Sequence, residues 1–256
     1  MKRAAPPLVT FAVVIGLWSG VSYGLLKPSR RFLLPPPQDV VRVGFLDWHN
    51  LHEILAALGL TARVAAVGLA IAIALGVTLA VAMSQASWVE RSIYPYAVVL
   101  QTIPILAITP LLGFAFGFNF ASRVLVCVLV ALFPIVTNTL FGLQGTDPSQ
   151  ADLFALHQAS RVTRLWKLQF PAALPAMFAG FRIAAGLSVV GAVVGDYFFK
   201  QGQPGLGILI DVYRSRLQSE QLYATVIVSS LLGVSAFVLV GVVRQRVVGR
   251  WSDPSR

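Results

Sequence analysis

The chain has 256 residues, of which 57% are hydrophobic and only 12% charged, and its formal net charge is +10. A soluble domain carries roughly 25% charged residues, so a mean hydropathy of +0.77 excludes an ordinary soluble fold. The cations are spread over polar connections between apolar runs, which suits contact with anionic lipid and gives no reason to expect a nucleic-acid partner.

Residues 4–26 contain no Asp, Glu, Lys or Arg. They follow Met-Lys-Arg, but the run is too long for the apolar part of a secretory signal and no A-x-A site follows, so it reads as a retained helix. The connection 27–59 carries "LLPPPQDV", an extended polyproline piece followed by an amphipathic one. Uncharged runs then cover 64–89, 92–122 and 124–146. Within 92–122, Pro104 and Pro110 predict kinks. The connection 145–174 is rich in helix formers and basic residues. The next run is interrupted by Arg182 and ends near Asp196, so it is expected to pack inside protein, where charges can pair. Residues 199–221 combine a Gly/Pro turn with a short apolar helix pattern, 221–243 form a last uncharged run, and 244–256 are polar and basic.

About 20 helical residues cross a hydrocarbon core of about 30 Å, and helix is the form whose backbone is satisfied within lipid. The expected architecture is therefore an all-α membrane protein. Its six spans lie at about 7–26, 62–86, 95–117, 122–144, 175–198 and 222–243, in one transmembrane domain covering 1–256. Loop cations barely discriminate orientation: Lys2, Arg3, Arg91, Arg161, Arg164, Lys167, Arg244, Arg246, Arg250 and Arg256 fall on one side. Lys27, Arg30, Arg31, Arg42, Arg63, Arg123, Lys200, Arg214 and Arg216 fall on the other.

Catalytic and energy-coupling signatures are missing. None of the lysines follows a glycine, so there is no G-x-x-x-x-G-K-[ST] phosphate cradle. His49, His52 and His157 are scattered and Cys127 is the one cysteine, so no metal, cofactor or catalytic constellation is expected. Gln101, Thr102, Thr109, Thr137, Asn138, Thr139 and Ser188 are polar groups inside spans. They line a solute path or bond between helices, and Gln101 and Asn138 are the better path candidates. Gly113/Gly117 and Gly191/Gly195 have the spacing of close helix packing.

The connection "ALHQASRVTRLWKLQFPAALP" (155–175) brings Arg161, Arg164 and Lys167 together next to two prolines. Read alone, it is a basic membrane-surface helix. It also resembles the coupling loop of binding-protein-dependent ABC permeases, with the signature E-A-A-x-x-x-G, nine residues, I-x-L-P. Leu168-Gln169-Phe170-Pro171 matches the end. Counting back puts Asp152 at the Glu position, Gln158 at the Gly position and Ala159 after it, with "DLF" in place of "EAA". "LLPPPQDV" (33–40), "LQTIPILAITPLLGFAFGF" (100–118), "ALFPIVTNTLFG" (131–142), "PAALPAMFAGFRIAAGLSVVGAVVGDYF" (171–198) and "GLGILI" (205–210) are similar, in order and spacing, to the sulfonate/taurine/nitrate-type permeases.

The resemblance implies a type I ABC importer permease-like fold in a bacterial cytoplasmic (inner) membrane, with 145–174 and both termini cytoplasmic. It implies a separate ABC ATPase subunit docked on Asp152, His157, Gln158, Ala159, Arg161, Arg164 and Trp166. A substrate-binding protein would deliver a small solute outside. One coupling loop per chain and two ATPase subunits per importer imply a homodimer. Pro171 and Pro175 are expected to set a sharp start to the fifth span. Gln101, Thr102, Thr109, Asn138 and Ser188 would line the path. The alternative is an ATP-independent channel or secondary carrier with a lipid-binding basic loop.

Overall fold

The computed structural model of the chain describes residues 5–249, and every element among them is helical. Lys2, Arg3, Arg250 and Arg256 of the loop-charge comparison lie outside the described residues. Helix α1 (Ala5–Gly20) runs into a π-helical turn, Val21–Leu25. A 3-10 turn (Pro28–Leu33), α2 (Pro37–Val41) and a second π-helical turn (Arg42–Leu46) lead to α3 (Trp48–Gln85). There follow α4 (Ser87–Thr102), α5 (Ile105–Phe116), α6 (Phe120–Gln144), α7 (Pro148–Leu156), α8 (Arg161–Arg164), α9 (Phe170–Phe198), α10 (Leu206–Ser215) and α11 (Ser219–Val248).

Among the described residues, five helical runs are long and apolar enough to cross a membrane: Leu8–Leu25, Trp48–Gln85, Phe120–Gln144, Arg161–Phe198 and Ser219–Val248. The pair α4–α5 makes a sixth if counted as one broken span. At 1.5 Å per residue, the 38 residues of α3 extend about 57 Å, almost twice a hydrocarbon core. Its start, capped by Asp47, which accepts from His49 N at 2.9 Å and Asn50 N at 3.2 Å, therefore projects beyond the apolar run.

The third run is not a rod. α4 and α5 meet at 102°. Pro104 has no N–H to continue the helix, and the residue before a proline is pushed out of the helical region; Ile103 sits at φ −65°, ψ 124°. Pro110, also expected to kink the span, lies inside a continuous α5.

Helix α6 occupies the middle, between α3 and α9. Cys127 is fully buried at this crossing. A Cβ on Gly68 of α3 would sit 2.3 Å from Cys127 Cβ, and one on Gly191 of α9 2.8 Å from Cys127 Cα. Lipid gives no hydrophobic drive for helix association, so such close approach carries the packing. The Gly113/Gly117 spacing does something else. Gly113 faces the Phe118 and Phe199 rings, and Gly117 ends α5 at φ +83°. Arg182, within α9, lies over the Phe237 ring of α11 at 4.2 Å, where the aromatic face offsets its charge.

Candidate functional site

The polar connection 145–174 folds into two helical pieces around one tight turn. Asp147 caps α7, accepting from Ser149 N at 2.8 Å. The helix ends in a Schellman turn: Ala159 N donates to Phe154 O at 3.0 Å and Gln158 N to Ala155 O at 2.9 Å. Gln158 takes the left-handed position of that turn, φ 52°. This is where the resembled signature has glycine, and the conformation explains why: a Cβ there meets the following carbonyl. His157 Nδ1 lies 2.9 Å from Leu153 O. Ser160 then caps α8, accepting from Thr163 N at 3.2 Å.

From Arg161 the chain runs as one apolar helical path to Phe198. The sharp start expected at Pro171 and Pro175 is not there. A π-helical turn, Leu165–Gln169, precedes Pro171, with Phe170 N bonded back to Leu165 O. The wider turn accommodates the proline that would otherwise crowd the carbonyl four residues before it. The basic residues therefore sit on the first turns of the same helical run that crosses the core, a lever without a joint. Leu168 is buried, and Leu165 and Phe170 pack on Leu143, Ala173 and Met177.

Around this turn Asp152, His157, Gln158 and Arg161 are exposed, Ala159 and Arg164 half-buried. Leu153, Leu156, Val162 and Trp166 are large apolar side chains turned outward. Trp166 tilts against Phe170, ring centroids 5.3 Å apart. Arg161 and Arg164 share a small polar pocket of about 150 Å³ with Ser84, Gln85 and Gln169. The arrangement is an exposed face with apolar anchors and cations, the residue types that dominate interface energetics.

The polar candidates inside the spans do not converge. Thr109 and Ser188 are buried, and each hydroxyl donates to its own helix, to Ile105 O at 2.6 Å and Ala185 O at 2.9 Å. Thr102 is exposed and donates to Val99 O at 2.8 Å, and Asn138 Nδ2 donates to Pro134 O at 2.8 Å. Gln101 alone of the five lines a cavity of about 330 Å³ in the α4–α5 elbow, closed by Leu129, Phe133 and Pro134 of α6 and Leu187 of α9.

At the far ends of α6 and α9 the structure shows a cluster that the loop-by-loop reading missed. Arg123, placed there among exposed loop cations, is buried; its Nη1 lies 3.1 Å from Asp196 Oδ1. Arg123 Nη2 also donates to Phe199 O at 2.9 Å and Gln201 O at 2.8 Å. Thr61 of α3 donates to Asp196 Oδ2 at 2.6 Å and accepts from Leu206 N at 2.9 Å. The signal was available: an aspartate closing an apolar run calls for a cation at the same level, and Arg123 opens the neighbouring run. Farther along, Asp211 pairs with Lys200 and, at 3.0 Å, with Arg214. The Lys200 bond, then the Arg214 bond, hold its carboxyl below the usual range.

The described residues thus form an all-helical bundle with five apolar runs long enough to cross a membrane, a sixth broken between α4 and α5, and an exposed turn that leads into α9. Residues 51–249 match the family described as "Binding-protein-dependent transport system inner membrane component", and the chain belongs to it. It is 33% identical to the formylaminopyrimidine transport permease protein ThiX of Halalkalibacterium halodurans, over 94% of each chain. It is 29% identical to the riboflavin transport system permease protein RibX of Chloroflexus aurantiacus, over 95% of this chain and 88% of that one. To the putative aliphatic sulfonates transport permease protein SsuC of Bacillus subtilis it is 28% identical, over 87% and 79%. Among solved structures it matches an amino acid ABC transporter with a TM-score of 0.60 at 18% identity, over 77% of this chain and 95% of that one, which speaks for the fold alone.

The chain is thus the transmembrane permease subunit of an ABC importer, forming the translocation path for a small solute and working with an ATPase subunit and a substrate-binding protein. Its family is one of transport permeases and not an enzyme class.

Proposed function

We propose that the chain works as a homodimer in a bacterial cytoplasmic membrane, and that the turn between α7 and α8 is where the ATPase docks. The observation that carries this is the uninterrupted helical path Arg161–Phe198, which joins an exposed face to the centre of the bundle. Asp152, His157, Gln158 and Ala159 form the turn; Arg161, Arg164 and Trp166 supply charge-assisted bonds and an aromatic anchor. Because the turn faces the ATPase, 145–174 and both chain termini are cytoplasmic, and the Arg123–Asp196 cluster faces outside. Closure of two ATPase subunits on nucleotide pulls two such levers and switches access to the path. The drive is the difference in nucleotide affinity between the two states. The solute path passes the α4–α5 elbow, with Gln101 at its wall; Thr102 and Asn138 lie beside it, and Thr109 and Ser188 stand on the helices that frame it.

Docking is tested by Arg161→Ala combined with Trp166→Ala. Truncated hot spots cost about 2 kcal/mol or more, roughly a 30-fold weakening. The variant is expected to insert in the membrane normally and to recover far less ATPase subunit on co-purification. Undiminished recovery contradicts the docking role.

A further inference from the structure

Two cations at the base of the lever lack a counter-charge. Arg161 and Arg164 stand three residues apart on one face of α8, where like charges repel. Neither meets a carboxylate among the described residues, whose ion pairs are Arg123–Asp196, Lys200–Asp211 and Arg214–Asp211. Both line the pocket of about 150 Å³ with Ser84, Gln85 and Gln169, and no Asp or Glu lines it. Helix α3 ends there. Its C-terminal partial charge of about −0.5 draws cations, but it offsets only a fraction of two guanidiniums.

The uncharged members of the pocket add a donor. Ser84 Oγ donates to Val81 O at 2.8 Å, and Gln85 Nε2 donates to Ser84 Oγ at 3.1 Å and to Gln169 Oε1 at 3.3 Å. These bonds use the Gln169 carbonyl and leave its NH2 group for a ligand. Two guanidinium forks and an amide donor match the oxygens of a phosphate group. The volume is that of about five waters in the liquid and falls below the roughly 300–1,000 Å³ of small-molecule sites, so the pocket takes a single such group. Its height in the bilayer names the source. The uncharged run 64–89 ends just past Gln85, and the next begins at 168, just past Arg164, so the pocket lies at the edge of the hydrocarbon. Trp88 and Trp166, 70% and 62% exposed, stand three residues from Gln85 and Gln169, and tryptophans gather at that level of a membrane.

We propose that this pocket holds the phosphate of an anionic phospholipid of the adjacent leaflet, its two unesterified oxygens on Arg161 and Arg164 and an ester oxygen on the Gln169 amide. A zwitterionic headgroup fits less well, because its ammonium would meet two guanidiniums and no carboxylate. The half-buried Arg164 is the firmer ligand, and the exposed Arg161 also reaches the docking face. Bound there, the phosphate ties the end of α3 to the first turns of the lever and steadies the turn that precedes them. That consequence rests on the reading of the turn as the ATPase dock; the lipid site itself does not.

The full chain is reconstituted in nanodiscs of equimolar phosphatidylcholine and phosphatidylglycerol, released into detergent, and weighed with its retained lipid by native mass spectrometry. Retention of phosphatidylglycerol in preference to phosphatidylcholine is expected. Gln169→Glu sets a carboxylate against the phosphate and Arg164→Gln removes a charge-assisted bond; each should weaken retention about tenfold. Arg164 has no ion pair among the described residues, so Arg164→Gln leaves the fold intact even if Gln169→Glu does not. Lys167→Gln removes an equal charge from a different groove, beside Gln150 and Val247, and should leave retention unchanged. Equal loss in all three variants marks a diffuse surface charge and overturns the proposal, as does wild-type retention without preference for phosphatidylglycerol. Inorganic phosphate that binds the chain in pure phosphatidylcholine discs, and is lost with Arg164→Gln, moves the site to a soluble anion and also overturns it. Co-purification of the ATPase subunit with the wild-type chain reports separately on the docking reading: a chain that recovers the ATPase but shows no lipid preference keeps that reading and loses the lipid site.

Discussion

Removing the carboxylate of Asp196 isolates a buried charge. In the wild-type chain Arg123 and Asp196 are 3% and 0% exposed and 3.1 Å apart. Their cluster ties α3, α6, α9 and the start of α10 together through Thr61 and the carbonyls of Phe199 and Gln201. Truncating one partner of a buried pair costs about 3–5 kcal/mol, because the other charge stays desolvated and unmatched. Replacing both by apolar residues of similar volume avoids that penalty. Asp196→Ala is therefore expected to lower the melting temperature in detergent by on the order of 10 °C, taking about 2–4 °C per kcal/mol for a chain of this length. Arg123→Met with Asp196→Leu should recover at least half of that loss. Differential scanning fluorimetry of the three chains decides. A single variant within about 2 °C of wild type, or a double variant less stable than the single, refutes the reasoning.

Two further outcomes follow from the turns. Gln158→Gly relieves a left-handed conformation that costs a side-chain-bearing residue about 1–2 kcal/mol, against about 0.5–1 kcal/mol of added chain entropy; a small rise in melting temperature is expected, Gln158→Val should lower it, and a fall with glycine contradicts the strain argument. Asp211 has its folded pKa depressed by Lys200 and Arg214, so its contribution is present above the ordinary carboxylate range and lost as pH falls through the depressed value; the acid-induced loss of stability should shrink in Asp211→Asn, and an unchanged acid limb in fluorimetry runs against the pairing.

Where the sequence was legible, the physics was local. Uncharged runs longer than the hydrocarbon core marked the spans, and Pro104 with its extended predecessor Ile103 marked the elbow. Leu168-Gln169-Phe170-Pro171, with its offset to Gln158, marked the left-handed turn between α7 and α8, because an order of residues along the chain carries it. What escaped depends on groups far apart in sequence. Thr61 meets Asp196 across 135 residues, and Arg123 turns inward only as the counter-charge to that aspartate, a match that no reading of its own neighbourhood supplies. The π-helical turn before Pro171 was hidden for another reason: prolines announce a missing donor, but whether the chain bends or widens is settled by packing of Leu165 and Phe170 on Leu143 and Met177. Nor does residue type show where a short polar side chain turns its hydroxyl: Thr109 and Ser188 both bond back to their own helix turn.

The central claim is that this chain moves solute only when an ATPase drives its lever. Proteoliposomes holding the chain alone, with its ATPase subunit, and with ATPase subunit plus binding protein should be loaded with ATP on the ATPase side and assayed for uptake of radiolabelled cargo taken from the purified binding protein. Accumulation is expected only with all three components and ATP, and it should collapse with Arg161→Ala and Trp166→Ala together. Concentrative uptake by the chain alone, or full uptake by the double variant, would contradict the account.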